Sequence, residues 1–524
     1  MKKTGLAIIL LISVIAYSYK STKKITSCII EINADSVLFE TSSYVIGANR
    51  NHISTNQNTI YGSSDYQVKK PKNIDNELIA YKNVQTTFSN KRKLYRLGHG
   101  STDGRLDSPN DYMKGYHFED WWGKTAYPYD DIRYGLREAR LLDADISMVV
   151  NYGTGTPEEA GRLVSYLNNK NDSLRNAQGE ALWNVRYFEI GNEVSWRNQR
   201  GHDPFCLCAS VYARRAKEFA TTMRRNSDIP IKIGLVTSIN GSFINDNWSN
   251  DESDDYMHDI DTLVQIMQDD INFIIFHNYP SLGHKPEQIM SQNTWLQNKI
   301  DKKINPTLRN AETKYNLSHP VYLANSEFNS GRYQTTNEPD VLEALYAADN
   351  IITAIKNKIE MAVSFCFSSH GFQGMMFFDD DTETPTPVYQ LQKLLADHMG
   401  DSVIFCKGSN ISSVIVDSLV TFQVTNDNVL TSLGNSDSLS IDQLAFVCTK
   451  KNDGELILLI LNRTEESQTF QIDKSMLKNY STTNMHLLKG EKYLAKNFCY
   501  EQHVFRFGKE ILLPGASVAL IEIK

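Results

Sequence analysis

Tyr187-Phe188-Glu189-Ile190-Gly191-Asn192-Glu193-Val194-Ser195-Trp196 is the stretch whose reading decides the architecture of this 524-residue chain. The largely apolar run Val185–Ile190 fits a short buried strand. It stops at a glycine and passes into Asn192-Glu193, so a carboxylate stands at the strand's C-terminal end. The arrangement recurs at Val321-Tyr322-Leu323-Ala324-Asn325-Ser326-Glu327, a short apolar run, small or polar residues, then a glutamate. As strands of one parallel barrel, these two runs aim two carboxylates into the same mouth.

Working outward, strand-like and helix-like patterns alternate. Strands are expected at Tyr44–Asn49, Leu94–Leu97, Ile146–Asn151, Val185–Ile190, Ile231–Val236, Phe273–Phe276, Val321–Asn325 and Met361–Phe367. Helices are expected at Asp75–Ser89, Tyr129–Leu142, Thr156–Asn168, Ala209–Asn226, Tyr256–Gln268, Ile289–Tyr315, Glu338–Lys358 and Val388–Met399. Thr156-Pro157-Glu158-Glu159 supplies an N-cap, a proline at the first helical position and early acids. Eight such pairs over 43–400 predict a (β/α)8 barrel, an α/β fold of TIM type. Gly98–Gly123, with Trp121 and Trp122, is a long loop with no pattern of its own, and such loops are usually functional. Beyond about Gly400 the pattern changes to short apolar or alternating runs, among them Val403–Phe405, Ser413–Val416, Leu419–Val424, Leu444–Thr449, Leu456–Leu461, Thr469–Ile472 and Val518–Ile523. These predict a β-sandwich over 401–524, to which Ile29–Glu40, within the N-terminal segment 19–42, can add a strand.

Bulk properties narrow the function. A composition 41% hydrophobic and 22% charged is that of a globular protein, and the length calls for a smaller domain beside a large one. A net charge of -8 argues against a nucleic-acid partner, because phosphate binding needs a basic surface. Seven scattered cysteines are an odd number and no disulfide scaffold, and Cys206-x-Cys208 is a weak metal motif, so neither a cofactor nor a metal is expected. Met1-Lys2-Lys3 followed by the apolar run Gly5–Ala16 has the layout of a signal peptide cleaved near Ser18. The expected location is therefore secreted, periplasmic or at the cell surface, with membrane contact only if that segment stays as an anchor.

The strand ends gather polar side chains where turn residues would suffice: Arg96, Asn151, Asn192-Glu193, His277-Asn278-Tyr279, Glu327 and Ser369-His370. Cleaving a glycosidic bond with retention needs two carboxyl groups about 5–5.5 Å apart, one to attack the anomeric carbon and one to protonate the leaving oxygen. Glu193 and Glu327, on strands four and seven, can meet that spacing across a barrel mouth, and one ionised carboxylate raises the pKa of the other. Arg96 favours the ionised form of whichever glutamate it contacts. Glu189, on the same strand face, reads as an interior ion-pair partner.

These residues carry a family resemblance. Phe188-Glu189-Ile190-Gly191-Asn192-Glu193 with a second strand-borne glutamate resembles clan A glycoside hydrolases. Val149-Val150-Asn151-Tyr152-Gly153-Thr154-Gly155-Thr156-Pro157-Glu158-Glu159-Ala160 resembles the segment before the acid/base in family 51 α-L-arabinofuranosidases, which have a barrel followed by a β-sandwich. His277-x-Tyr279 and Leu459-Ile460-Leu461-Asn462-Arg463 resemble further segments of that family. The resemblance implies Glu193 as acid/base, Glu327 as nucleophile, Asn192 as a binder of the adjacent sugar hydroxyl, Tyr279 as a hydrogen-bond partner of the nucleophile and Arg96 as its support. Three departures bear on the substrate. Ser101 stands where the family has a sugar-binding asparagine, Gly47-Ala48-Asn49-Arg50-Asn51-His52 lacks the family's glutamate after the first strand, and Ser326-Glu327-Phe328 replaces Asp-Glu-Trp. The expectation is a poly- or oligosaccharide hydrolase, arabinofuranosidase-like or acting on a β-xyloside or β-glucan, with Trp121, Trp122 or Trp196 as a stacking platform. A silent carbohydrate-binding scaffold on the same barrel is the alternative, though a mere binder has no need of a proton donor opposite a nucleophile.

Overall fold

Eight short parallel strands close into a barrel in the computed structural model, which describes residues 27–41, 44–49, 52–53, 93–98, 135–136, 139–140, 142–153, 155–194, 209–237, 260–280, 285–330, 340–366, 368–369, 374–379, 382–416, 420–424, 430–435 and 439–524. In barrel order the strands are Gly47–Asn49, Lys93–Leu97, Ala144–Val150, Tyr187–Ile190, Lys232–Val236, Phe273–Asn278, Tyr322–Phe328 and Ala362–Ser364, and Ser364 pairs back to Ala48. A parallel sheet is covered on its outer face by crossover helices, which explains why these strands read as continuous apolar runs. The covering helices include Pro157–Asn168, Ala209–Arg225, Ile260–Met267, Val341–Lys356 and Pro387–His398. The first has the expected capping box: Thr156 Oγ1 accepts from the Glu159 amide at 3.2 Å, and Glu159 Oε2 accepts from the Thr156 amide at 3.0 Å.

Three expectations change. The single helix over Ile289–Tyr315 is two helices, Pro286–Lys299 and Asn305–Lys314, joined by a π-helical turn at Ile300–Ile304. Pro306 has no amide hydrogen to give the preceding turn, and a π turn absorbs that break. The eighth strand ends at Ser364, so Ser368–Ser369 belongs instead to a small accessory sheet with His52–Ile53, Met376–Asp379 and Thr382–Pro385. The sixth and seventh strands run farther than expected, to Asn278 and Phe328, so His277 and Glu327 stand inside strands rather than after them. The proposed signal peptide, the helix Asp75–Ser89, Trp121, Trp122, Trp196, Ser101 and His370 lie outside the described residues. Among the described residues no helix is long and apolar enough to cross a membrane.

The C-terminal part is a nine-stranded sheet folded over on itself. Its order is Cys499–Phe505, Thr483–Lys489, Ser517–Ile523, Leu456–Asn462, Leu444–Lys450, Ser402–Ser409, Cys28–Glu40, Gln468–Ile472 and Ile511–Leu513. Residues from both ends of that order, such as Met485 and Ile521 on one side and Ile30, Phe470 and Leu513 on the other, share one apolar cluster, the layering of a sandwich. The strand Leu456–Asn462 is buried throughout, and its alternation divides it: Leu456, Leu458 and Ile460 fill the sandwich, while Ile457, Leu459 and Leu461 join the barrel's core. Among the described residues, Cys28, Cys366, Cys406, Cys448 and Cys499 form no disulfide with one another.

A buried ion pair pins the two parts together. Arg463, just after strand Leu456–Asn462, grips Asp349 of helix Val341–Lys356 with both ends of its guanidinium, Nε to Oδ2 at 2.9 Å and Nη2 to Oδ1 at 2.7 Å. Removing one partner of a buried pair leaves the other charge uncompensated, at a cost of about 3–5 kcal/mol. Arg463→Met should therefore lower the unfolding midpoint sharply, and the double variant R463M/D349L should recover most of the loss, as read by thermal and denaturant melts.

Candidate active site

The barrel floor is organised by Arg96, a fully buried cation on the second strand. Its Nε donates to Glu189 at 2.9 and 3.0 Å, Nη1 to Asn49 Oδ1 at 2.8 Å and Glu327 Oε1 at 2.6 Å, and Nη2 to Asn192 Oδ1 at 2.7 Å. One planar fork thus meets groups from the first, fourth and seventh strands and from the turn after the fourth, a geometry that a lysine cannot reproduce. Burial pushes the Arg96 guanidinium's pKa down, but the charges and hydrogen bonds of Glu189 and Glu327 outweigh it, and the net direction is up. Glu189 is itself held by Ser147 Oγ at 2.8 Å, which fixes it as the ion-pair partner expected from its strand face.

Glu193 stands in a tight turn. Gly191 has φ +80°, and a Cβ there would lie 2.5 Å from Val194 Cγ1, so the turn requires glycine. Glu193 itself adopts φ +44°, a left-handed conformation rare for a side-chain-bearing residue and one that tertiary contacts must maintain. Its carboxylate meets His277 Nδ1 at 2.9 Å.

A bulge on the seventh strand places Glu327. Phe276 is paired with Asn325 but His277 with Glu327, so Ser326 is an extra residue in the register. Strict alternation would send Ser326 and Glu327 to opposite faces. With the bulge, both reach the barrel interior: Ser326 Oγ lies 3.2 Å from His277 Nε2, and Glu327 meets Arg96 through Oε1 and the Tyr279 hydroxyl through Oε2, the latter at 2.7 Å. Asn325, by contrast, points outward to Asn350 of helix Val341–Lys356.

His277 lies between the two glutamates, its Nδ1 2.9 Å from Glu193 and 3.6 Å from Glu327. Burial lowers its pKa, but Glu327's charge and then Glu193's hydrogen bond and charge raise it more, and the net direction is up. One oxygen of each glutamate and a ring nitrogen of His277 lie within 4.8 Å of one another, close enough for a cation. Yet Arg96 and Tyr279 already occupy both Glu327 oxygens, and Ser326 faces the second ring nitrogen. The cluster is therefore arranged to share protons.

Arg96, Asn192, Glu193, His277, Tyr279 and Glu327 thus come together as the sequence suggests. Asn151 is buried at the end of the third strand, packed against the Gly155 turn. Asn49, Ser147 and Ser326 are site residues that the sequence reading did not single out. Asn49 ends the first strand and falls under the same strand-end rule as the others, whereas nothing local marks Ser147, or Ser326 as a bulge.

The closed eight-stranded barrel carrying a β-sandwich is a fold this chain shares with solved family 51 α-L-arabinofuranosidases. That from Thermotoga petrophila matches with a TM-score of 0.71 at 20% identity, covering 95% of this chain and 100% of that one. The Bifidobacterium longum enzyme gives 0.72 at 15% identity with the same coverage. The α-L-arabinofuranosidase of Thermotoga maritima, solved with arabinose, gives 0.70 at 18%, covering 95% and 99%. No protein-family model matches the chain, and no curated protein matches it by sequence.

The direction of the His277 shift makes a prediction. A histidine whose folded pKa is raised above its ordinary 6.5 contributes stability that is full below that value and is lost as pH rises through the folded pKa. The stability difference between the wild type and His277→Gln should shrink across that window in melts taken at increasing pH. A constant difference would show that His277 does not titrate there.

Proposed function

We infer that the protein is a retaining glycoside hydrolase of α-L-arabinofuranosidase type, with Glu327 as nucleophile and Glu193 as acid/base. The observation that carries this reading is the pair itself: carboxylate oxygens of Glu193 and Glu327 within 4.8 Å of one another, on opposite sides of one barrel mouth. That approach of the nearest oxygens is compatible with the separation of about 5–5.5 Å used in retention.

The environments of the two carboxylates differ in the way the two roles demand. Glu327, 5% exposed, receives hydrogen bonds on both oxygens, from Arg96 and Tyr279, which favour the anion and aim it. Glu193 meets the His277 imidazole, a group able to hold or return a proton. In the first step Glu327 attacks the anomeric carbon while the Glu193 proton passes to the departing glycosidic oxygen, leaving a glycosyl ester on Glu327. In the second, Glu193 takes a proton from water, the oxygen attacks the same carbon, and Glu327 departs with overall retention.

Family 51 fold likeness, together with the Phe188–Glu193 and Val149–Ala160 segments, supports an arabinofuranoside substrate within a poly- or oligosaccharide. In sequence, Ser101, the segment Gly47–His52 without a glutamate, and Ser326-Glu327-Phe328 depart from that family's pattern. A site built to pair a given hydroxyl discriminates strongly against sugars that leave it unpaired, so a β-xyloside or β-glucan is the alternative substrate.

Glu193→Gln should slow turnover of a natural oligosaccharide by about 100- to 10,000-fold, the range that general acid–base catalysis supplies. Glu327→Gln should cost more, and near-normal rates from either variant would overturn the assignment. Azide added to Glu193→Ala should give a glycosyl azide of retained configuration. A panel of aryl arabinofuranoside, xyloside, glucoside and galactoside names the sugar, and inactivity of the wild type on all of them and on oligosaccharides would favour a silent binding scaffold.

A further inference from the structure

Outside the Arg96 cluster, two imidazoles and a carboxylate from separate elements meet where the sandwich joins the last barrel helix. His398 is the final residue of helix Pro387–His398, His486 lies on strand Thr483–Lys489, and Glu522 lies on the neighbouring strand Ser517–Ile523. The two rings have centroids 4.1 Å apart with planes inclined by 35°. His398 Nδ1 is 2.8 Å from Glu522 Oε1, and His486 Nε2 is 3.7 Å from Glu522 Oε2. One donor atom from each residue lies within 4.8 Å of the other two.

A second observation points to a ligand. His486 is 6% exposed, and its Nε2 is buried with no hydrogen-bond partner, while Nδ1 is engaged by the Tyr500 hydroxyl at 2.8 Å. An unsatisfied buried polar atom is costly, and native structures seldom leave one without a reason. Burial, then the neighbouring His398, push the His486 imidazole's pKa down against the pull of Glu522, which favours the neutral ring. Burial raises the Glu522 carboxyl, but hydrogen bonds from His398, Asn484 and Lys524 outweigh it and bring it down to about 2.

We propose that His398, His486 and Glu522 form a binding site for a divalent transition-metal cation of the zinc type, which ties the last barrel helix to the sandwich. Two nitrogens and one oxygen are a donor set that suits zinc, with a water as fourth ligand on the side where the His398 side chain is 21% exposed. With Nδ1–H donated to Tyr500, His486 presents the Nε2 lone pair to the cation, and the hydroxyl becomes the outer partner that sets the ring's tautomer and orientation. His398 binds through Nδ1 once its proton resides on Nε2. Two lysines compete for the carboxylate, Lys524 at 3.3 Å and Lys451 at 3.9 Å. Each also pairs with Glu455, at 2.9 and 2.7 Å, so both keep a counter-charge when the cation displaces them from Glu522.

The test uses the full chain, stripped with chelator and dialysed against zinc chloride, with bound metal measured directly and unfolding midpoints taken with and without zinc. One equivalent of zinc and a higher midpoint are expected, as for any ligand that binds the folded state alone. His398→Gln and His486→Phe should abolish both. Glu522→Gln, which keeps the side chain's shape, guards against a folding defect in the histidine variants. Tyr500→Phe, at a half-exposed position, should weaken binding by about 10- to 100-fold, as loss of an outer partner does. Cobalt in place of zinc should give visible absorption bands in the wild type that the histidine variants lack. Zinc retained by all these variants, zinc lost instead in His277→Gln, or no zinc bound by the wild type would each overturn the proposal.

Discussion

The candidate site depends on a single buried guanidinium. Arg96 has no exposure to solvent, so its charge must be met inside the protein, and Glu189 and Glu327 meet it directly. Burying an ion is expensive, and the arrangement is tolerable only because the donor directions of the fork all find acceptors, on Asn49, Asn192 and the two carboxylates. That requirement fixes the relative positions of the first, second, fourth and seventh strands at the barrel mouth. Glu327 is aimed by an interaction that also stabilises the fold, so the placement of the proposed nucleophile and structural integrity rest on the same contact.

Two local departures from regular structure then place the groups that regular structure could not. The Ser326 bulge turns two consecutive residues of the seventh strand inward, one to hold His277 and the other to face Glu193. The left-handed turn at Gly191 and Glu193 brings the second carboxylate back toward the strand it has just left. Both depart from ideal geometry where the chemistry is proposed to occur, as expected when position matters more than local conformational preference.

The sandwich does more than cover an end of the barrel. Helix Val341–Lys356 is held from outside by Arg463 through Asp349 and from inside by the amide contacts of Asn350 with Asn278 and Asn325. Asn278 follows His277 in the chain and Asn325 lies two residues before Glu327, so the domain junction and the site share one packed helix. The cluster of His398, His486 and Glu522 closes the same junction at the end of the last barrel helix.

The sequence by itself determined the strand-helix alternation, the change to β structure after about residue 400, and the two glutamates at the ends of matching runs. These are local properties: apolar period, turn chemistry and capping residues act within a few positions. It also placed Arg96, Asn192, His277 and Tyr279 at the mouth, because position along a barrel strand decides which end a residue occupies. It did not mark the strands Thr483–Lys489, mostly buried but with no apolar alternation in its sequence, Cys499–Phe505, largely exposed, and Ile511–Leu513, only three residues long. Only the tertiary structure decided which acceptors Arg96 satisfies, where the register slips at Ser326, and that His398 meets His486 and Glu522. Each of those depends on the pairing of segments far apart in the chain, and a one-residue change of register, invisible in composition or period, would undo it.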